Sequence, residues 1–237
     1  MNITISGYGK MGKTLKEYID LTDHTVSDVV DKNYINGLNT FDEIKNLPDC
    51  IIDFSHPLML EDLLSYAHKN RIPLVICTTG YTKTQEQKIN QASKEIPILY
   101  AKNTSLGIAV IDRILPDLVH TLKQFDIEII EKHHREKIDA PSGTAKQFAK
   151  TITDHRSLNL VYQRYENPKR NENDLSIHSI RGGTIFGEHT ILFAHDDEMI
   201  EIKHTALSKK IFAKGALNAA LFIVNQKNGI YQMKDIL

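Results

Sequence analysis

Cysteine is scarce, a strong charge of either sign is missing, and no apolar run is long; each absence removes a class of function. Cys50 and Cys77 are the two cysteines. Each lies inside an apolar, strand-like run, which suits buried free thiols and speaks against a disulfide framework. Twenty-nine basic residues offset 30 acidic ones, giving a formal net charge of -1 and a pI near 6.8. Without a basic field, neither nucleic acid nor an anionic membrane surface is expected as the main partner. Nothing approaches the roughly 20 consecutive apolar residues of a membrane-spanning helix. Met1 to Ser6 reads as a strand running straight into a glycine turn, with no basic segment or apolar signal core ahead of it, so a cytoplasmic protein is expected.

What is present is a chain of 237 residues, 41% hydrophobic and 25% charged, enough for one large domain or two small ones. Over the first hundred residues short apolar runs (Ile3 to Ile5, Val26 to Val30, Cys50 to Phe54, Leu74 to Cys77, Ile98 to Tyr100) alternate with amphipathic stretches such as Leu60, Leu63, Leu64 and Ala67. Strands separated by helices require right-handed crossovers and a parallel sheet. A long helical pattern from Ile108 to Leu122 contains Pro116, which lacks a backbone donor and is expected to kink it. Beyond it, the segments Ile127 to Glu131, Ile177 to Ile180, His189 to Ala194 and Met199 to His204 alternate as in a mixed or antiparallel sheet. The polar run Gln163 to Asp174 reads as a mobile surface loop with solvated charges. Ala213, Leu217, Ala220, Leu221 and Val224 have helix spacing. The expected organisation is α/β: a first domain over 1–104, a second α+β domain over 105–209, and a C-terminal helix over 210–237 that returns to the first domain.

In an open parallel sheet, ligands bind beyond the carboxyl ends of the strands. The first run ends in Gly7-Tyr8-Gly9-Lys10-Met11-Gly12, which matches the dinucleotide fingerprint of the Rossmann type: a tight turn, a close backbone approach to pyrophosphate, and close packing of helix on strand. Asp31 follows about 20 residues later at the end of the second run, where an acid accepts the adenine ribose hydroxyls. Lys32 and Lys10 stand nearby; as ammonium groups they offset repulsion between Asp31 and a 2'-phosphate, and both NADH and NADPH are therefore expected. The alternative is that these lysines are ordinary exposed charges.

The segment Glu131-Lys132-His133-His134-Arg135-Glu136-Lys137-Ile138-Asp139-Ala140-Pro141-Ser142-Gly143-Thr144-Ala145 begins at a strand end and finishes at a helix start. Ser142 is a good N-cap, and free amides around Gly143 and Thr144 at a helix N-terminus offer a place for a carboxylate. His133 or His134 exchanges a proton near neutral pH, while Lys137 and Arg135 attract an anion. Adjacent histidines lack the helical spacing of a zinc pair, and neither cysteine is near, so no metal is expected.

The stretch Glu131 to Ala145 resembles the signature of dihydrodipicolinate reductases. Asp53-Phe54-Ser55, Thr78-Thr79-Gly80, Ala101 to Gly107, Ser179 to Gly183 and Gly187-Glu188-His189 fall in that family's order, so the resemblance spans nearly the whole chain. It implies a Rossmann domain joined to a substrate domain of mixed sheet that builds a homotetramer, the two closing on their ligands. It also implies reduction of dihydrodipicolinate, or its hydroxylated precursor, to tetrahydrodipicolinate on the diaminopimelate and lysine route. By position, His133 resembles the family's general acid/base and Lys137 its proton donor; His134, Gly143 and Thr144 resemble residues that bind the dicarboxylate. Cys77, Thr78 and Thr79 together with Ala101, Lys102, Asn103 and Thr104 fall near the nicotinamide. Cys77 stands where glycine or alanine is common, Thr104 where a larger side chain often sits, and Lys10 replaces a frequent arginine. Two other readings compete: a different two-domain reductase sharing only the cofactor half, and a nicotinamide-sensing module without catalysis.

Overall fold

Asn2–Ser6 is short, rich in β-branched residues and buried along almost its whole length, the pattern of a strand covered on both faces; it forms β1. The computed structural model describes residues 1–162 and 169–237. After β1 come α1 (Lys10–Ile19), β2 (Thr25–Val30), β3 (Cys50–Asp53), α2 (Leu60–Asn70), β4 (Leu74–Ile76), α3 (Lys83–Ala92) and β5 (Pro97–Tyr100). They are followed by α4 (Leu106–Thr121), β6 (Asp126–His133), α5 (Gly143–His155), β7 (Asn159–Val161), β8 (Asp174–Arg181), β9 (Gly187–Ala194) and β10 (Met199–Ala206). The chain ends with α6 (Lys210–Ile223) and β11 (Gly229–Tyr231).

Two compact units result, Met1–Leu106 with Lys209–Leu237, and Gly107–Ser208. In the first, all pairings are parallel and the strand order is β11-β5-β4-β3-β1-β2. The chain steps outward from β1 to β2, then crosses back to β3 on the other side of β1. That reversal is the switch point at which open α/β sheets bind ligands. Ile51, Leu74, Ile76 and Ile98 of the sheet pack with Leu63, Ala67 and Ile89 of α2 and α3. Helix α6 lies against α1 and against β3, β4 and β5 through small residues, Ala213, Gly215, Ala216, Ala219 and Ala220, which permit close approach. The apolar periodicity of the tail thus serves the first unit.

The second unit holds the sheet β10-β9-β6-β8-β7, in which β6 runs parallel to β8 and antiparallel to β9. Alternation puts Ile127 and Ile129 of β6 beside Leu175 and Ile177 of β8 and Ile191 and Phe193 of β9. This row packs against Ile108, Ile111, Leu115 and Val119 of α4 and Ala145, Phe148, Ala149 and Ile152 of α5. Phe148 and Phe193 are fully buried, and each contributes about 2–3 kcal/mol by leaving water. Helix α4 is continuous through Pro116.

Some sequence expectations need amendment. Strands β7 and β11 were not anticipated; each has three residues and no clear alternation. Of the run read as a solvated loop, Gln163 to Pro168 lies outside the described residues. Arg170 is not merely solvated: it pairs with Asp126 at 2.5 Å and with Glu128 at 3.1 Å, and donates to the Asp174 carbonyl at 2.7 Å.

Candidate active site

In the first unit, polar residues follow the carboxyl ends of β1 to β5. Gly7 has φ +87°, and a Cβ there would come 2.5 Å from Ser55 Cα, so this position requires glycine. A Cβ on Gly12 would overlap the Gly7 carbonyl oxygen. At Gly9, by contrast, a Cβ would meet nothing within 4 Å. Gly9 is also the N-cap of α1 and offers no side-chain hydrogen bond to the helix. The first turn, with Lys10, Met11 and Gly12, therefore presents backbone amides beside open space, which fits the pyrophosphate of a dinucleotide.

Asp31 directly follows β2. Its carboxylate accepts from the Tyr8 amide at 2.6 Å and the Asn33 amide at 2.8 Å. The acid is thereby fixed against the glycine loop, with lone pairs left for ribose hydroxyls. The Tyr8 and Tyr34 rings lie 4.0 Å apart beside it. Cys77 and Thr78 are buried at the end of β4, while Thr79 and Lys32 are exposed. Ala101 and Thr104 are buried after β5; Lys102 pairs with Glu86 at 2.8 Å, and Asn103 Oδ1 accepts from the Ser105 amide.

Asp53, which the sequence showed only as part of a motif, ties three of these edges together. Its carboxylate is fully buried and accepts from Ser6 Oγ at 2.7 Å, Ser55 Oγ at 2.5 Å and Tyr81 Oη at 3.3 Å. Burial pushes its pKa up, and hydrogen bonds from Ser55, Thr78 and Ser6 oppose that rise. Both cysteines are buried free thiols whose pKa values burial raises.

In the second unit, the core-facing row of the mixed sheet turns polar at one end. Past Ile127 and Ile129, β6 presents Glu131 and His133; the partners in register are Ser179 and Arg181 on β8 and His189 on β9. His133 Nδ1 lies 2.6 Å from Glu131 Oε2, and Arg181 donates to both Glu131 oxygens, at 2.8 and 2.7 Å. The Ser142 amide donates to Glu131 Oε1 at 3.2 Å, and Ser142 Oγ lies 2.9 Å from His189 Nε2.

Ser142 caps α5, its hydroxyl accepting from the Ala145 amide, so α5 begins with Gly143 exposed and Thr144 half-buried. A Cβ on Gly143 would meet nothing within 4 Å, which leaves room for a ligand at the helix start. Lys137 Nζ pairs with Asp139 at 2.6 Å, and Arg181 donates to the Asp139 carbonyl at 2.6 Å. His134 is exposed. One chain of contacts thus joins His133, the loop bearing Lys137, and the start of α5.

Burial and hydrogen bonding compete in the titration here. Burial pushes the Glu131 carboxyl up, but hydrogen bonds from Arg181, Ser179 and His133 outweigh that and bring it down to about 2. Burial lowers His133 below its usual value, with Glu131 partly opposing. Burial, then the neighbouring His133, holds His189 down at about 4. At neutral pH, Glu131 is ionised and both rings are neutral. Among the described residues no group of three or more His, Cys, Asp or Glu side chains could hold a metal ion, and no helix is long and apolar enough to cross a membrane.

Glu131, Arg181, His189 and Ser142 were visible in the sequence but not as a cluster. The available signal was the strand period of two, which puts Glu131 and His133 on one face.

Comparison with known proteins follows the same division. Residues 1–104 match the family described as dihydrodipicolinate reductase, N-terminus, and residues 107–237 the family described as dihydrodipicolinate reductase, C-terminus. The 4-hydroxy-tetrahydrodipicolinate reductase of an Exiguobacterium species is 46% identical over 237 residues, covering 100% of this chain and 95% of that protein. The enzyme of the same name from Clostridium novyi is 41% identical over 245 residues, covering 97% and 94%. Among solved structures, a dipicolinate-bound dihydrodipicolinate reductase from Paenisporosarcina sp. TG-14 shares the fold with a TM-score of 0.80 at 22% identity, over 100% of this chain and 99% of that one. A C. glutamicum DAP dehydrogenase, in complex with DAP, shares it with a TM-score of 0.60 at 9% identity, over 99% and 93%. With both halves matched in order and close relatives along its full length, the chain belongs to the dihydrodipicolinate reductase family, whose members are pyridine-nucleotide-dependent oxidoreductases.

Proposed function

We propose that the chain reduces 4-hydroxy-tetrahydrodipicolinate, or the dihydrodipicolinate formed from it by loss of water, to tetrahydrodipicolinate in diaminopimelate and lysine biosynthesis, with His133 and Lys137 as the acting side chains. The observation that carries this is the junction of an oriented imidazole, a lysine loop and an open helix N-terminus around Glu131. Those are the parts needed to hold a small dicarboxylate and hand it a proton.

Reduction of dihydrodipicolinate adds one hydride and one proton, and the 4-hydroxy compound reaches the same product by also losing its hydroxyl group as water. A bound reduced nicotinamide supplies the hydride. The amides of Gly143 and Thr144 donate to one carboxylate, and the charge of Lys137 and the side chain of His134 attract the dianion. In the free protein His133 is neutral; the arriving carboxylates favour its imidazolium form, which then donates to the electron-rich ring. Lys137 stabilises the negative charge that develops before the proton arrives.

On the cofactor side, the Asp31 carboxylate suits unphosphorylated ribose, whereas Lys10 and Lys32 attract a 2'-phosphate, so the chain uses both NADH and NADPH. A homotetramer is supported by the face of the mixed sheet opposite α4 and α5. There Ile130, Ile180 and Leu192 lie among the Lys132–Glu188–Lys203 ion pairs, and a second copy would cover this mixed surface. A cytoplasmic location follows from the biosynthetic role.

The test is NAD(P)H absorbance decay with freshly generated dihydrodipicolinate synthase product. His133→Ala is expected to keep cofactor affinity and lose at least about a hundredfold in kcat; a wild-type turnover number removes His133 from the chemistry. Binding of pyridine-2,6-dicarboxylate, a stable mimic of the ring, should weaken in Lys137→Ala, and an unchanged affinity removes Lys137 from substrate binding.

A further inference from the structure

We propose that Glu131 is the positioning residue of this site: its carboxylate sets the ring orientation of His133, the start of α5 and the loop bearing Lys137. This role rests on His133 being the proton donor. Glu131 itself never meets the substrate.

Glu131 is fully buried, at a position in β6 where the preceding inward residues are isoleucines. A bare carboxylate there would be very costly, so its partners decide what it does. Oε2 accepts from His133 Nδ1 and Arg181 Nη1, and Oε1 accepts from Arg181 Nη2 and the Ser142 amide. Arg181 alone would neutralise the charge. The two remaining bonds lead to the proposed proton donor and to the residue that caps α5. Arg181 extends the same link to the third part, since it donates to the Asp139 carbonyl while the Asp139 carboxylate pairs with Lys137.

The hydrogen bond also decides which nitrogen acts. With Nδ1 carrying its proton toward Glu131, Nε2 is the nitrogen left for the substrate. Gly187 stands beside Nε2, and a Cβ there would come within 3.2 Å of it, so glycine keeps that edge of the ring clear.

Charge has a separate effect. The groups facing His133 are Glu131 on its own strand, Lys137 in the following loop, Arg181 on β8 and the neutral His189 ring on β9, 5.2 Å away. His204 on β10 lies behind His189 and acts on that ring. Among these, Glu131 alone is anionic and favours imidazolium. Removing its charge drives the His133 pKa further down, so the protonated donor is lost at lower pH.

The experiment compares wild type with Glu131→Gln and Glu131→Asp by kcat–pH profiles and by 15N NMR titration of the histidine rings, with His133→Gln identifying the His133 signals. In Glu131→Gln, kcat is expected to fall about a hundredfold. Its alkaline limb and the His133 titration should move together toward acid by about one pH unit or more. KM for the nicotinamide should stay unchanged, because His133, Arg181 and Ser142 all lie outside the glycine loop. Glu131→Asp, which keeps the charge but shortens the reach, should lose rate while retaining most of the limb position. A Glu131→Gln protein with a lower Tm and lower kcat but unmoved limb and unmoved His133 signals overturns the proposal, because Glu131 is then structural only. If Glu131→Gln does not fold, wild type decides: a His133 ring without the Nδ1-protonated tautomer overturns the proposal, and its presence, with limb retention in Glu131→Asp, supports it. Wild-type turnover in His133→Gln would instead sink the role of His133, and the NMR coupling to Glu131 would still be read separately.

Discussion

Gly215→Ala adds one methyl group at the place where α6 comes closest to the segment after β5. A Cβ at Gly215 would lie 2.7 Å from the Thr104 carbonyl carbon and nearer still to its oxygen, whereas ordinary carbon contacts need about 3.5–4.0 Å. The obstacle is backbone, so no side-chain rotation relieves it. Either α6 or residues 101–104 must shift by about 1 Å or more. Thr104 is held from the same side by its hydroxyl bond to the Phe212 carbonyl at 2.8 Å, so the strain falls on that segment. Overpacking against a fixed neighbour costs about 3 kcal/mol, which in a chain of this length lowers Tm by about 6–12 °C. If residues 101–104 line the nicotinamide end, a displacement of about 1 Å also costs up to about a hundredfold in kcat. Differential scanning fluorimetry and NAD(P)H kinetics on the purified variant measure both effects. Wild-type Tm would refute the packing. Lowered Tm with wild-type kcat and KM for the nicotinamide would refute the cofactor role of the segment.

Two further expectations concern charge. Glu131 titrates at about 2 when folded, against 4.5 for an unperturbed glutamate, so it contributes about 3 kcal/mol of stability that is present above pH 4.5 and lost as pH falls toward 2. Urea unfolding of wild type and Glu131→Gln between pH 6 and pH 2.5 should therefore show their difference shrinking on acidification; parallel curves would contradict the assignment. In the glycine loop, Lys10→Ala should raise KM for NADPH several-fold more than KM for NADH, and equal changes would remove Lys10 from phosphate recognition.

How much of this could be read in advance depends on the distance between interacting residues. The glycine loop is local: spacing alone puts Gly7 and Gly12 in tight positions and leaves Gly9 open, and the structure has that geometry. The segment Glu131 to Ala145 is also contiguous, so its histidines, lysine and helix start were legible together. The hub around Glu131 was not, because Arg181 and His189 arrive from strands about 50 residues away and their alignment depends on the register of β8 and β9 on β6. Asp53 was hidden for the same reason, since its donors come from the ends of β1, β3 and β4. Arg170 was read as solvated because its acidic partners, Asp126 and Glu128, lie on a strand far back in the chain. Three-residue strands such as β7 and β11 carry too few positions to reveal a period.

The central claim is that His133, Lys137 and the start of α5 together hold a dicarboxylate, and a crystal structure with pyridine-2,6-dicarboxylate and a nicotinamide tests it most directly. The expected result is one carboxylate within about 3 Å of the Gly143 and Thr144 amides, Lys137 released from Asp139 to a carboxylate oxygen, and His133 Nε2 facing the ring. A dicarboxylate bound away from these groups, with Lys137 still on Asp139 and the α5 amides open, would contradict it.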